Sequence, residues 1–560
     1  MGSVFRSGRR QTLLPRERLF AALAFGFALL LHHRLLFVGT PTVMEPEARV
    51  LHRWDEGTVN YDAARIADGQ VMYRDFFQFQ GPVHYYLYAG LFSLFGRSYT
   101  LARLLTATIV SLSAACLALI VSRLFGRGWR GEAAGLGAAG IHATVFVSTY
   151  AASYPHWTAD LLLLAALVAV TTEDPQPGHW RSAGALAALS ALTVLSLGLP
   201  ALMALLGSLA LPWPNLGGMK GAVVRSGWFV VGVGVAMAVV STALLSQGAW
   251  TDMVRDSLIW PFQSYAFGQT DVVGYAAAFD RMVQFYEKLD APWPLFGRIL
   301  AETLRVPPVV AVGGFVYVFS KAGLAVFGPK SRFTSSIRFP GLALLSVSAV
   351  AAAATLPPVL QVTRADLAHL GFIGSYGLLG TVVLWVVAGV GPRIRALGAG
   401  GLAVVAVLGL ITYVGNSLRN PPFTPGWIPY LARDPATRRL VPHLEVGDLL
   451  FDTTELGPLR YFYIADAAVP YTFVPPPQIA RYYTEDQWSE ITRALLENAP
   501  AVLHTSDGYF VDLVRREPRL ARRYRKVDED VFVLNRASRA PTEEMPEKDV
   551  HRRTLRVPVP

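Results

Sequence analysis

The sequence has one cysteine, Cys116. No intrachain disulfide can form, and no cysteine cluster is available for a metal. Cys116 lies inside an apolar run and reads as ordinary helix packing. Charge is scarce as well: 16% of the 560 residues are Asp, Glu, Lys or Arg, against about 25% in a soluble domain. A nucleotide-binding glycine loop, zinc-ligand spacing and a serine-nucleophile elbow are all missing. The chain shows no internal repeat, which counts against inverted-repeat transporters. The net charge is +10 and the pI about 9.6. Much of the arginine borders apolar segments, where it sets topology or meets anionic headgroups. With no recognition motif for nucleic acid, membrane lipids are the expected partners and nucleic acid is not.

What is abundant is apolar sequence, at 52% of residues with a mean hydropathy of +0.37. Apolar runs recur at 19–38, 101–123, 131–150, 157–171, 183–198, 199–213, 222–246, 306–327, 340–357, 367–390 and 396–415. Crossing about 30 Å of hydrocarbon takes about 20 helical residues, so the pattern predicts about eleven spanning helices. The pair at 183–213 is expected to break near Gly198 and Pro200. The basic start (Arg6, Arg9, Arg10, Arg16, Arg18) resembles a signal sequence without a clear cleavage site and reads as a retained first span. With that start in the cytoplasm, the inner loops carry Arg123/Arg127/Arg130, segment 172–182, Lys220/Arg225, Lys330/Arg332/Arg338 and Arg393/Arg395. Four of these five are basic, as the positive-inside rule requires; 172–182 is the exception. The expectation is a multi-pass plasma-membrane protein with its N-terminus cytoplasmic and its C-terminal region extracytoplasmic.

The predicted fold is mostly α: a polytopic bundle in 1–415, with a first outer loop at 39–100 and an aromatic interfacial loop at 247–305. A small extracytoplasmic α/β domain follows at 416–540, and a polar, proline-bearing tail at 541–560 is expected to be disordered. Strands are predicted at Leu449–Phe451, Ala501–His504 and Val531–Leu534, with a helix near 485–498. The basic run from Arg515 to Lys526 reads as a solvated face, with acidic lipid or an anionic acceptor as the alternative.

The first loop holds the densest chemistry: Trp54-Asp55-Glu56-Gly57, Tyr61-Asp62-Ala63-Ala64-Arg65, Tyr73-Arg74-Asp75 and Gly81-Pro82-Val83-His84-Tyr85-Tyr86. A loop of about 60 residues is too long to be a mere connection. An enzyme acting outside the cell has no nucleotide sugars, so its donor must be carried across on a lipid. Moving a sugar from a lipid phosphate to a hydroxyl needs a carboxylate to take the hydroxyl proton and donors around the departing phosphate. Asp55 and Glu56 can meet the first need. Arg364-Ala365-Asp366-Leu367-Ala368-His369, at the mouth of the tenth span, can meet the second. There an arginine could grip phosphate oxygens through two parallel hydrogen bonds, and on a helix Asp366 and His369 share a face.

The pattern Asp55-Glu56, Tyr61-Asp62-Ala63-x-Arg65, Gly69, Tyr73-Arg74-Asp75, Gly81-Pro82, Tyr85-Tyr86, Phe95-Gly96 and Arg103 resembles the GT-C superfamily of polytopic glycosyltransferases. That superfamily includes the protein O-mannosyltransferases and the aminoarabinose transferases of lipid A. The resemblance implies that Asp55 is the catalytic base, with Glu56 as the neighbour that holds the site or the acceptor. It brings in Tyr61 and Arg65 as motif residues, Arg364 and His369 as donor-phosphate ligands, and Asp366, Asp160 and His156 as second-tier candidates. The aminoarabinose-transferase pattern has a lysine where this chain has Gln80 before Gly81-Pro82. Arg74 or His84 is the expected substitute.

The implied activity moves a monosaccharide from a polyprenyl-phosphate donor to a hydroxyl of a glycan, lipid or protein acceptor, with inversion. No cofactor is required by the pattern; a divalent cation stays open. A transporter or lipid flippase, or a non-catalytic envelope assembly protein, are the rival classes.

Overall fold

The computed structural model describes residues 15–32, 37–38, 49–126, 128–147, 152–213, 216–261, 263, 283–284, 287, 293–327, 340–359, 367–387, 392–419 and 424–425, and most of 431–467 and 483–535. Among the described residues, each of the eleven apolar runs is helical. These helices are α1 (Pro15–His32), α4 (Tyr99–Phe125), α5 (Trp129–Ile141), α6 (Pro155–Val170), α7 (Pro177–Ala191) and α8 (Leu195–Ala210), then α9 (Gly218–Ser246), α11 (Trp293–Phe327), α12 (Pro340–Val359), α13 (Leu367–Val387) and α14 (Pro392–Arg419). By length and composition Tyr99–Phe125, Gly218–Ser246 and the 297–322 stretch of α11 suffice to cross a membrane. α4 packs on α1, α5 and α6, α7 packs on α6, α8 and α9, and α12 lies between α8, α11 and α13. α9 presents Val223, Val231, Val235 and Val239 outward, the exposed apolar face of a helix whose solvent is lipid.

The break in the 183–213 pair falls at 192–194 rather than near Gly198 and Pro200. Gly198 lies in the first turn of α8, where an added Cβ would sit 2.3 Å from Ala191 N. Gly198 therefore marks a close helix approach, and Pro200 lies inside α8.

The first loop is largely helical: α2 (Arg49–Ala67) and α3 (Pro82–Phe95). From Glu56 to Arg65 every residue of α2 is buried, because α3 packs on one side and a C-terminal helix on another. After α9 come α10 (Trp250–Met253) and a π-helical stretch, Val254–Ile259.

In the C-terminal region α15 (Pro435–Leu440), α16 (Gly457–Tyr463), α17 (Glu485–Asn498), α18 (Gly508–Arg516) and α19 (Pro518–Arg523) surround a sheet. Its strands are β3 (Leu449–Asp452), β4 (Asp466–Ala467), β5 (Val502–His504), β6 (Tyr524–Lys526) and β7 (Val531–Leu534). Their order is β4-β3-β5-β7-β6, parallel on the β4-β3-β5 side and antiparallel through β7 and β6. A two-residue pair, β1 (Phe37–Val38) with β2 (Thr424–Pro425), joins the start of the first loop to the beginning of this region. The three predicted strands and the 485–498 helix coincide with β3, β5, β7 and α17. α17 begins at a Thr484–Gln487 capping box. Residues 541–560 lie outside the described residues.

Candidate functional site

Asp55 and Glu56 are adjacent on α2, so their side chains leave the helix about 100° apart and meet different surroundings. Glu56 is fully buried. Arg103 of α4 holds its carboxylate with two donors, Nε at 2.8 Å and Nη2 at 2.5 Å. Ser153 donates to the same Oε1 at 3.4 Å. Ser153 in turn lies 2.8 Å from Thr106, whose hydroxyl is 2.7 Å from that of Tyr88 on α3. This polar chain fixes α2 against α3 and α4 and leaves Glu56 a positioning part. Asp55 is only partly buried and lies within electrostatic reach of Tyr85.

Tyr85 leads to Gln80, which organises the region. Tyr85 donates to Gln80 Oε1 at 2.7 Å, and Gln80 Nε2 donates to Tyr154 Oη at 3.4 Å. The Gln80 backbone carbonyl accepts from the Tyr73 hydroxyl at 2.6 Å and from Ser257 Oγ at 3.4 Å. Gln78 Nε2 donates to Asp62 at 2.8 Å while Gln78 Oε1 accepts from the backbone N–H of Phe79 and Gln80. Burial raises the Tyr73 and Tyr85 hydroxyls well above the usual phenol range, so both act as neutral donors. Tyr73 itself sits at φ 73, left-handed backbone that a bulky residue rarely adopts. Gly81 follows the hub, and its N–H donates to Thr193 O at 3.2 Å. An added Cβ would lie 1.9 Å from Leu192 O, so only glycine permits the approach of this turn to the α7–α8 corner.

From Tyr154 an aromatic stack continues. His156 lies parallel to Tyr154 at 5.0 Å and to Phe372 at 4.4 Å, and its edge meets His369 at 5.4 Å. Two candidates far apart in the chain, His156 at the start of α6 and His369 on α13, thus meet beside the Gln80 hub.

Other candidates go elsewhere. Tyr61 packs on Tyr461 of α16 at 5.5 Å. The Arg65 guanidinium lies 4.5 Å from the Phe76 ring centre and bonds Gln70. Arg74 grips Asp75 through two donors and reaches the Gln247 carbonyl at 3.0 Å; its hydrogen bonds hold the Asp75 carboxyl below the usual range. His84 is buried with Nδ1 2.8 Å from Thr158 Oγ1, and its Nε2 has no hydrogen-bond partner among the described residues. Asp160 is buried in the bundle, where the Tyr376 hydroxyl meets its backbone carbonyl at 3.4 Å. Arg364 and Asp366 lie outside the described residues. Among the described residues no group of three or more His, Cys, Asp or Glu is placed to hold a metal ion. Reasoning from sequence missed Gln80 as an organiser, along with Tyr154 and Ser257. The only signal was Gln80 itself, standing where the resembled pattern has a lysine.

The described apolar helices form a bundle around a carboxylate-bearing first-loop pair of helices, with a C-terminal mixed sheet beside that pair, and three of these helices are long and apolar enough to cross a membrane. No family model matches the sequence, and no curated protein matches it either. Among solved structures, ArnT from Cupriavidus metallidurans bound to undecaprenyl phosphate is similar over 95% of this chain and 100% of its own, at 14% identity and a TM-score of 0.51. The archaeal oligosaccharyltransferase AglB from Archaeoglobus fulgidus, in complex with an inhibitory peptide and a dolichol-phosphate, is similar over 94% of this chain and 76% of its own, at 12% identity and a TM-score of 0.44. Both are GT-C superfamily glycosyltransferases, and the likeness to ArnT shows that this chain shares the ArnT fold.

Proposed function

We propose that this protein is a membrane glycosyltransferase that moves a monosaccharide from a polyprenyl-phosphate donor to an acceptor hydroxyl on the outer face of the plasma membrane. The acceptor oxygen forms a bond to the anomeric carbon as the bond from that carbon to the phosphate oxygen breaks. Asp55 takes the hydroxyl proton, the lipid phosphate leaves with the electron pair, and the configuration inverts. A phosphate is already a good leaving group, so one carboxylate suffices, unlike the two of glycoside hydrolysis. His156 and His369 supply hydrogen-bond donors toward the phosphate, and Arg364 is proposed as a further phosphate ligand. The lipid tail lies against the apolar helices. Undecaprenyl phosphate in the structurally similar ArnT supports a donor of this class.

The observation that carries the reading is the link from the Asp55 surroundings through Tyr85, Gln80 and Tyr154 to the His156–His369 pair. With Asp55 acting electrostatically on Tyr85 at one end and two imidazoles at the other, this path supports reading the carboxylate as proton acceptor and the imidazoles as phosphate donors. In the purified full chain, Asp55→Asn should lower transfer about 10²–10⁴-fold while undecaprenyl phosphate binding stays near normal. Near-normal turnover in that variant would refute Asp55 as the base.

A further inference from the structure

We infer that Asp256 reads the sugar of the donor lipid, its buried carboxylate accepting an O–H or N–H group of the monosaccharide. The inference rests on the glycosyl-transfer reading above and adds a residue that discriminates between donors.

Asp256 lies in the π-helical stretch Val254–Ile259, an element that recurs at functional sites. Its neighbour Ser257 donates to the Gln80 carbonyl that also accepts from Tyr73, so the stretch is seated on the same hub as Asp55 and the histidine pair. Asp256 is 2% exposed. Its Oδ1 accepts from Arg255 Nε at 2.7 Å, but its Oδ2 is buried with no hydrogen-bond partner among the described residues. Arg255 does not compensate fully, since it is 61% exposed and also reaches Asp252 at 3.1 Å. A buried carboxylate oxygen left unmatched is costly and is best understood as awaiting a ligand donor. Burial raises the Asp256 carboxyl to about 6, so near neutral pH it remains mostly an ionised acceptor.

The sign of the group fixes the end of the donor it can meet. A carboxylate only accepts, so it repels phosphate oxygens and pairs with the hydroxyl or ammonium groups of the sugar. A site whose buried polar group needs a matching donor rejects ligands that lack one far more strongly than an apolar pocket can.

The test uses the full-length protein in lipid nanodiscs, titrated with undecaprenyl phosphate and with undecaprenyl-phosphoryl monosaccharides carrying a hexose, a pentose or an amino sugar. The wild type should bind at least one sugar-bearing lipid more tightly than the bare lipid phosphate. Asp256→Asn should weaken binding of that lipid about ten-fold or more and leave the bare lipid phosphate unchanged, which also confirms folding. If Asp256→Asn keeps the preference, the Asp256 inference falls while the transferase reading stands. If the wild type prefers no sugar-bearing lipid, or binds neither class, both fall. Loss of both lipids in Asp256→Asn and also in Asp256→Ser would make Asp256 a folding residue and overturn the inference.

Discussion

Asp55 and Glu56 are alike in chemistry and adjacent in sequence, yet helical geometry gives them separate parts. In the sequence the two could only be taken together. Nothing local reveals that Arg103, on another helix, captures Glu56 in a dry environment where both side chains are almost fully buried. Breaking such a pair strands a buried charge and costs about 3–5 kcal/mol, whereas replacing both partners is far cheaper. Arg103→Met should therefore lower stability in denaturant titrations by about that amount, and the double variant Glu56→Gln/Arg103→Met should recover most of it. A negligible effect of Arg103→Met would remove Glu56 from its positioning part. In the C-terminal region, His504 presents its ring nitrogens to Asp452 at 3.2 Å and Asp530 at 3.1 Å. Burial works against the charged ring, but the two carboxylates prevail and raise His504 above its ordinary 6.5. Burial likewise opposes the Asp452 carboxylate, and Arg460 and His504 prevail, so it titrates below 3.8. The His504 contribution is complete below about 6.5 and lost as pH rises through its folded value. The Asp452 contribution is complete above about 4 and lost as pH falls through its own. Melting temperature should be highest between these limits, and His504→Gln should flatten the decline on the alkaline side. An unchanged alkaline limb in that variant would contradict the assignment.

Elements were more legible than contacts. Runs of spanning length recur because each helix must satisfy its own backbone in hydrocarbon, so the apolar segments mark the helices with only shifts at their ends. The mixed sheet was foreseeable from its short apolar strands, but β4 and β6 are too short and polar to leave a signal. The helices within the first loop left no signal at this scale. From Glu56 to Arg65 α2 is buried all round, between α3 and α16, so this stretch lacks the one-sided apolar stripe that marks an amphipathic helix. Its Gly57 lets α16 approach, since an added Cβ would lie 2.9 Å from the Pro458 Cβ. Glycines with different surroundings should respond in opposite ways. Gly81→Ala forces a methyl against the Leu192 carbonyl and should destabilise by about 1–3 kcal/mol. Gly90, inside α3 with nothing within 4 Å of an added Cβ, should accept alanine with a gain of about 0.5–1 kcal/mol. Comparing the melting temperatures of the two variants checks this, and equal shifts would mean that the turn at Gly81 is not tightly held.

Across the whole molecule, the contact between α2 and α16 has a topological consequence. Tyr61 meets Tyr461, Tyr99 meets Phe462 at 4.8 Å, and Trp260 donates to Gln487 at 3.1 Å. The first-loop helices, the stretch after α9 and the C-terminal sheet therefore share one side of the membrane, whichever side that is. Loop charge gives the expected direction: if the basic turns between spans face the cytoplasm, as the positive-inside rule holds, the shared side is outside. Two exposed positions distinguish the alternatives: Glu529, between β6 and β7, and Gly178, in the first turn of α7 with open space around it. With Cys116 replaced by serine so that no native thiol competes, Glu529→Cys should react with a membrane-impermeant maleimide in intact cells. Gly178→Cys should react only after the membrane is opened. The reverse pattern would put Asp55 in the cytoplasm, where nucleotide sugars are available and the argument for a lipid-carried donor loses its premise. Labelling of both positions from one side would instead require an even number of crossings between them, and α7 through α14 would then need regrouping.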